Sequence, residues 1–412
     1  MHLKRFRALA AALLVLAILS ASAGALSEKT IVLTFTGDVT LGGKDDERMK
    51  ADCFDNVAAE KGFDYFFANF SEMFAGDDLT IANLEGPLTD NKADKSSKTH
   101  AFRGKTEFVT ILTKGGIDAV SLSNNHVGDY GQQGEKSTKQ ALEDNGIHWF
   151  QDFQYYLYEK DGVKIAFFAL QNAVLYKQRA KFLNRINKAR EEDGADAVIV
   201  CWHTGTEYKR FHEPDTEKKV KGLIEDGGVD LVIINHPHTA QGMGIINNRS
   251  VFYSLGNFVF GGNRNIRTGK DLRDPLTISL YGMVVRATLT FSDEGKYLGQ
   301  QMTVYPVFSS SAQPDYQPEG ALKQKLLFSN DYQPMRLTIE QAAAVYQCIR
   351  EDTAFEIPEM TEKDGLAEIV FPYLPGFNSV MIPENETSDG PSGIPEAANP
   401  KPTRDDKADS GN

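Results

Sequence analysis

The feature that most restricts the fold of this chain is a series of short apolar runs, each ended by side chains able to bind a cation. The runs at 30–36, 79–84, 117–122, 164–170, 197–202 and 231–234 have strand length and are rich in Val, Ile and Phe. Between them lie stretches of helical character, at 56–74, 106–114, 134–145, 182–192 and 213–225, several of which stop near Gly. Strand and helix patterns in alternation predict an α/β domain with a substantially parallel sheet.

From residue 251 the pattern changes to strand-like runs at 251–255, 281–291 and 301–307, which predicts antiparallel pairing that completes the core. This places one domain over 28–310. A C-terminal extension, 311–380, holds one helix candidate at 338–350, expected on the outside. Residues 381–412 have almost no large apolar side chain and read as a disordered tail. At the other end, basic residues precede an apolar run from Ala8 to Leu19 and a small-residue stretch to Ala25. That order is the pattern of a secretory signal peptide or, uncleaved, of a membrane anchor, and either reading exports the main domain. The three cysteines, Cys53, Cys201 and Cys348, encode no disulfide framework. A net charge of −13 argues against a nucleic-acid surface, which needs a basic face to displace counterions.

The chemistry collects where the strands end. The first run leads to Asp38, the second to Glu85 and the third to Asn124, Asn125 and His126. The last two lead to His203 and to His236-Pro237-His238. In open α/β sheets the ligand crevice lies outside the carboxyl ends of the strands, so five strands aim polar groups at one place. Carboxylate, amide oxygen and imidazole without thiolate suit hard or borderline divalent cations. Each residue has a plainer use: Asp38 as a helix cap, Asn124 or Asn125 in a turn, Glu85 closing a loop before Gly-Pro. Two imidazoles as close as His236 and His238 would repel if both were charged, unless a metal or carboxylate intervened. His148 and His212 read as surface residues.

At these residues the sequence resembles the bacterial CapA family of poly-gamma-glutamate capsule synthesis proteins. The matching pieces are Thr36-Gly37-Asp38-Val39, Asn83-Leu84-Glu85-Gly86, Ser123-Asn124-Asn125-His126 with Asp129-Tyr130-Gly131, Trp202-His203-Thr204-Gly205-Thr206-Glu207-Tyr208, His236-Pro237-His238 and Tyr253-Ser254-Leu255-Gly256-Asn257-Phe258. The resemblance implies a metallophosphatase-like, calcineurin-like sandwich of mixed β-sheets flanked by helices. It further implies one or two divalent ions (Mn, Zn, Fe or Mg), one held by Asp38, Glu85 and His238 and the other by Glu85, Asn125, His203 and His236. His126 would then stand beside a leaving group, and Arg103 and Glu207 are candidates to face substrate, with a surface salt bridge as the alternative for each. Thr40 stands where many metallophosphatases have a second ligand, Glu85 replaces the usual bridging Asp, and Asn235 stands where the family commonly has Gly. The implied partners are an anionic envelope polymer or phosphoester substrate and membrane-embedded capsule synthesis proteins, at the outer face of the cell membrane or beyond it. The implied activity is that of a metal-dependent hydrolase or transferase, or of a polymer-binding protein that keeps the fold without cutting.

Overall fold

The computed structural model describes residues 28–267, 272–312 and 327–376. The signal-type segment 1–25 and the tail 381–412 lie outside the described residues. Among the described residues, no helix is long and apolar enough to cross a membrane.

Two mixed sheets face each other. The first runs in the order Thr361–Lys363, Leu366–Val370, Tyr297–Phe308, Tyr281–Phe291, Lys29–Thr40, Leu79–Leu84, Ala119–Ser121, His148–Phe150. The second runs Met243–Ile246, Arg249–Phe252, Leu231–Asn235, Ala197–His203, Val163–Gln171, Tyr156–Lys160. The parallel part of each sheet comes from the alternating half of the sequence. The antiparallel part includes the later strands, with Tyr281–Phe291 lying between Lys29–Thr40 and Tyr297–Phe308.

Period-two alternation explains why both faces of each sheet are covered. Ile31, Leu33 and Phe35 join Ile165, Phe167, Ile199 and Ile233 in the cluster between the sheets. Their neighbours in sequence, such as Val198, Val200 and Trp202, point the other way, against Phe182, Ile186, Val220 and Leu223 of the helices Asn172–Glu191 and Pro214–Gly227. On the far side of the first sheet, Ala82, Leu84 and Val120 meet Phe54, Ile111 and Leu142 of three further helices. The layers are therefore helix, sheet, sheet, helix, the sandwich of mixed sheets that the resemblance implies.

Two expectations are corrected. The stretch 56–74 is not one helix: Phe54–Lys61 stops at Gly62, whose φ is 86°, and a 3-10 turn and the short helix Ser71–Ala75 follow. Phe66 and Phe67 are both fully buried, and successive positions of a continuous helix, about 100° apart, would turn one of them towards solvent. The helix expected outside the domain, observed as Ile339–Glu351, instead places Ala342, Val345 and Ile349 in the cluster between the sheets. It begins with a capping box at Thr338 and Gln341. Strand Leu366–Val370 pairs with Tyr297–Phe308, so the extension belongs to the sandwich.

Two glycines set how closely the central strand approaches its neighbour. A Cβ on Gly37 would lie 2.1 Å from the carbonyl oxygen of Gly256, which accepts a hydrogen bond from the Asp38 amide at 2.9 Å. Gly256 itself has φ 73°, a conformation glycine adopts without steric cost. Gly37→Ala is expected to lower the urea midpoint by the equivalent of about 1–3 kcal/mol, the usual cost of overpacking. Gly128→Ala, where an added Cβ meets nothing within 4 Å, is expected to stay within about 0.5 kcal/mol. Equal midpoints for the two variants would refute the close-approach argument.

Candidate metal centre

The strand ends bring the candidate residues to one edge of the sandwich. Asp38 lies within the strand Lys29–Thr40, in register with Asn83 and Asn257 on its two neighbours. Glu85 follows the strand Leu79–Leu84. Its amide donates to Val39 O at 2.7 Å and its carbonyl accepts from Thr40 Oγ1 at 2.8 Å, so its backbone is held from both sides. Thr40 thus serves the backbone of Glu85. Asn124 spends its side chain on Leu84 O, at 2.8 Å, and on the amide of His126, at 3.1 Å. It is the turn residue of the pair, and Asn125 Oδ1 is left 2.8 Å from His203 Nε2.

Glu85 is the centre of the arrangement. It is fully buried, and neither carboxylate oxygen has a hydrogen-bond partner. Its Oε1 lies 3.6 Å from His203 Nε2, 3.8 Å from His238 Nε2 and 3.8 Å from His126 Nε2. Asp38 is equally buried, with Oδ1 accepting from Asn83 Nδ2 at 2.7 Å and Oδ2 accepting from the His236 amide at 3.2 Å. Asn83 Nδ2 also faces His203 Nδ1 at 3.2 Å, which ties the first sheet to the second.

Among the described residues, potential ligand atoms fall into two groups with Glu85 common to both: Glu85, His236 and His238, and Asp38, Glu85 and His203, each set within 4.8 Å. The resemblance divides them differently, with His238 beside Asp38, whose side chains are 3.3 Å apart, and His203 beside His236. A buried carboxylate with neither oxygen bonded is costly unless a cation meets it, so this donor set fits a divalent ion. His236 Nδ1 is also buried and unbonded.

The electrostatics follow from burial and mutual charge. Burial first, then the charge of Asp38, pushes the Glu85 carboxyl well above its usual range. Burial, followed by the neighbouring His236, holds His203 well below the ordinary imidazole value. Burial and His238 bring His236 down to about 4. His238 rises to about 10 against its own burial, because Glu85 and then Asp38 stabilise its cation. His203 and His236 are thereby kept in the neutral form that binds metal.

His126 is buried, and its Nδ1 lies 2.6 Å from Asp129 Oδ2, which also accepts from the Phe102 amide at 2.8 Å. Its ring packs 4.5 Å from Phe102. Beside it opens a cavity of about 420 Å³, lined among others by Lys44, His100, Glu207, Tyr208, His238 and Phe260. Glu207 therefore faces the space next to the centre. Arg103 does not line it: it is 5% exposed, donates from Nε to Asp45 Oδ1 at 2.9 Å and from Nη1 to Thr89 O at 3.2 Å. It does form a salt bridge with Asp45, but as a buried residue and not the surface one expected. His148 is exposed and stacks on Tyr156, whereas His212 is partly buried, stacked on Tyr253 and held by Asp352 at 2.9 Å.

Three residues had no role in the sequence reading although they sit in the matching motifs: Asn83, Asp129 and Asn257. Asn257 Oδ1 lies 2.9 Å from His238 Nδ1 and its amide nitrogen donates to Ser279 O. Each holds a neighbour in place. The signal available for them was position alone, one strand register or three residues from a ligand-type side chain.

The CapA capsule biosynthesis protein of Bacillus anthracis is 29% identical to this chain over 255 residues, 56% of this chain and 60% of that protein. The PGA biosynthesis protein CapA of Bacillus subtilis (strain 168) is 30% identical over 257 residues, 57% of this chain and 64% of that protein. The chain thus matches less than two thirds of the length of these relatives. Among solved structures, a hypothetical protein from Thermus thermophilus aligns with a TM-score of 0.40 at 14% identity, covering 67% of this chain and 99% of that one. The calcineurin-like phosphoesterase YfkN of Bacillus subtilis aligns with a TM-score of 0.37 at 17% identity, covering 66% and 88%. The family model for the bacterial capsule synthesis protein PGA_cap matches residues 32–262, more than half of the sequence and all of the candidate centre, and the chain belongs to that family.

Proposed function

We propose that this chain is an exported protein of capsule or envelope polymer synthesis that hydrolyses or transfers a phosphoester or a gamma-linked glutamate bond. In this reading Asp38, Glu85, Asn125, His203, His236 and His238 hold one or two divalent ions. The observation that carries it is the Glu85 carboxylate, buried with both oxygens unbonded among three imidazoles. Bound divalent ions would lower the pKa of water and polarise an oxygen of the substrate.

The chain's own residues have definite tasks. Asn83 and Asn257 orient His203 and His238, whose ring positions decide where a ligand atom points. Asp129 fixes the His126 ring through Nδ1, which leaves Nε2 on the Glu85 side to hold or deliver a proton at a leaving oxygen. Glu207 and Tyr208 stand on a loop fastened to the His236-Pro237-His238 turn by Tyr208 N donating to Pro237 O at 2.8 Å. Substrate would enter beside them. A second reading, a polymer-holding protein with a single ion and no turnover, is favoured by Thr40, whose hydroxyl is committed to Glu85 O where many metallophosphatases have a ligand.

Elemental mass spectrometry of the purified chain is expected to find about two metal equivalents, lost in the His236→Ala, His238→Ala double variant. No metal after incubation with manganese, zinc, iron and magnesium salts would remove the hydrolytic reading. Chelation is expected to lower the parent's thermal midpoint, since an ion bound to the native state alone stabilises it. Glu85→Gln should be insensitive to chelator and at least as stable as the stripped parent, because it replaces a buried unpaired carboxylate. A midpoint for Glu85→Gln well below that of the stripped parent would contradict this. With bis-p-nitrophenyl phosphate as probe, Asp129→Asn should cut turnover by about a hundredfold at unchanged metal content. Unchanged turnover would remove Asp129 from the proposed machinery.

A further inference from the structure

The helix Asn172–Glu191 carries six cations, Lys177, Arg179, Lys181, Arg185, Lys188 and Arg190, and one acid, Glu191, in a chain of net charge −13. The cations are partnered differently on its two flanks. Towards the helix Pro214–Gly227, Arg179 reaches Asp226 at 2.5 Å, and Arg190 reaches Asp230 at 2.6 Å. On the other flank the neighbours are aromatic, with the Tyr155 hydroxyl donating to Asp193. Lys181 lies 4.0 Å from the Phe153 ring centroid, and Arg185 lies 4.8 Å from that of Tyr155 and donates to Phe153 O at 3.1 Å. Among the described residues no carboxylate is paired with Lys181 or Arg185. Lys188 pairs only with Glu192, one turn on in its own chain, and both side chains are more than half exposed.

After a kink at Gln178, residues 181, 185 and 188 follow the i, i+4, i+7 spacing that makes one stripe, with charges about 6 Å apart along the axis for each four residues. Like charges at i, i+4 cost a helix a few tenths of a kcal/mol. Lys188 is offset by Glu192 four residues on, as Lys139 is by Glu135 and Lys219 by Asp215, so the pair without such compensation is Lys181 and Arg185. The helix itself starts near the candidate centre. Gln171, just before the helix, is in register with His203, and Thr204 Oγ1 donates to Asn172 Oδ1 at 2.6 Å.

We propose that the flank formed by Lys181, Arg185 and Lys188, with Phe153 and Tyr155 beside them, is a track for an extended polycarboxylate chain leading to the candidate centre. The proposal rests on the polymer-synthesis reading for the class of ligand. A lipid surface fits less well, since membrane-bound helices insert apolar side chains. Here the aromatic rings are partly buried beneath the cations, and the one exposed large apolar residue of the helix, Tyr176, is held by Lys219 of the neighbouring helix.

The test is binding of fluorescently labelled poly-gamma-glutamate to the purified chain at several salt concentrations, beside phosphatidylglycerol vesicles and with metal content read on the same samples. Lys181→Gln, Arg185→Gln, Lys188→Gln is expected to weaken polymer binding at least about tenfold and to flatten its salt dependence, as fewer counterions are released. Arg179→Gln, Arg190→Gln on the other flank should stay within about twofold. The proposal is overturned if the parent does not bind the polymer, if both variants weaken equally, or if the triple variant loses vesicles but not polymer. Polymer bound by a chain without metal would sink the metal reading and keep the track. Metal held by a chain that ignores the polymer would do the reverse.

Discussion

A carboxylate buried between two sheets without a hydrogen bond is the constraint on which the rest of this site depends. At 0% exposure Glu85 is shut off from bulk solvent, and its backbone is held by Val39 and Thr40. Every nearby side chain is arranged around that fact. His126, His203 and His238 each bring an Nε2 to within 3.8 Å, and Asp38 adds a second buried negative charge. Two carboxyl groups packed this way cannot both stay ionised without positive charge between them. Without metal His238 supplies it as a cation, and a divalent ion held by the neutral ring would take the place of that proton.

The sandwich makes this arrangement durable. His236 and His238 have φ of 108° and 58°, and Tyr208 beside them has 59°, backbone conformations that side-chain-bearing residues rarely hold. Strain of this kind persists only where the surroundings determine it, and here the turn is tied on several sides. The His236 amide donates to Asp38, Pro237 O accepts from Tyr208, and the carbonyl of Asn235 accepts from Thr204. The first sheet therefore holds the second in the geometry the site requires, through Asp38 and Asn83. Stability and site geometry are not separable at this edge.

Much of this was legible in the sequence. Apolar runs of strand length located the parallel strands because those strands are buried on both faces, and their ends named the residues that converge. What periodicity could not show was which face a half-buried aromatic run would choose: the 56–74 stretch reads as a helix until Gly62 and the consecutive Phe66 and Phe67 are packed. Arg103 illustrates a second limit. A cation beside a motif looks like a substrate anchor, but only packing shows that Asp45 and Thr89 already occupy it. The supporting residues Asn83, Asp129 and Asn257 were unreadable for the same reason, since an amide or carboxylate that orients a neighbouring side chain leaves no periodic pattern in the sequence.

The acidity of the whole chain does not conflict with an anionic ligand. At physiological ionic strength, charges more than about 8 Å apart in solvent are largely screened, so a net −13 spread over the surface weighs little against groups in contact. What a polyanion meets is local. At the centre it would meet cations held by buried carboxylates, and along the helix Asn172–Glu191 it would meet Lys181 and Arg185, with which no carboxylate is paired among the described residues. The same distribution would weaken any non-specific hold on anionic surfaces elsewhere. On the proposed reading, the two positive places would admit an anionic chain at one edge of an otherwise acidic body.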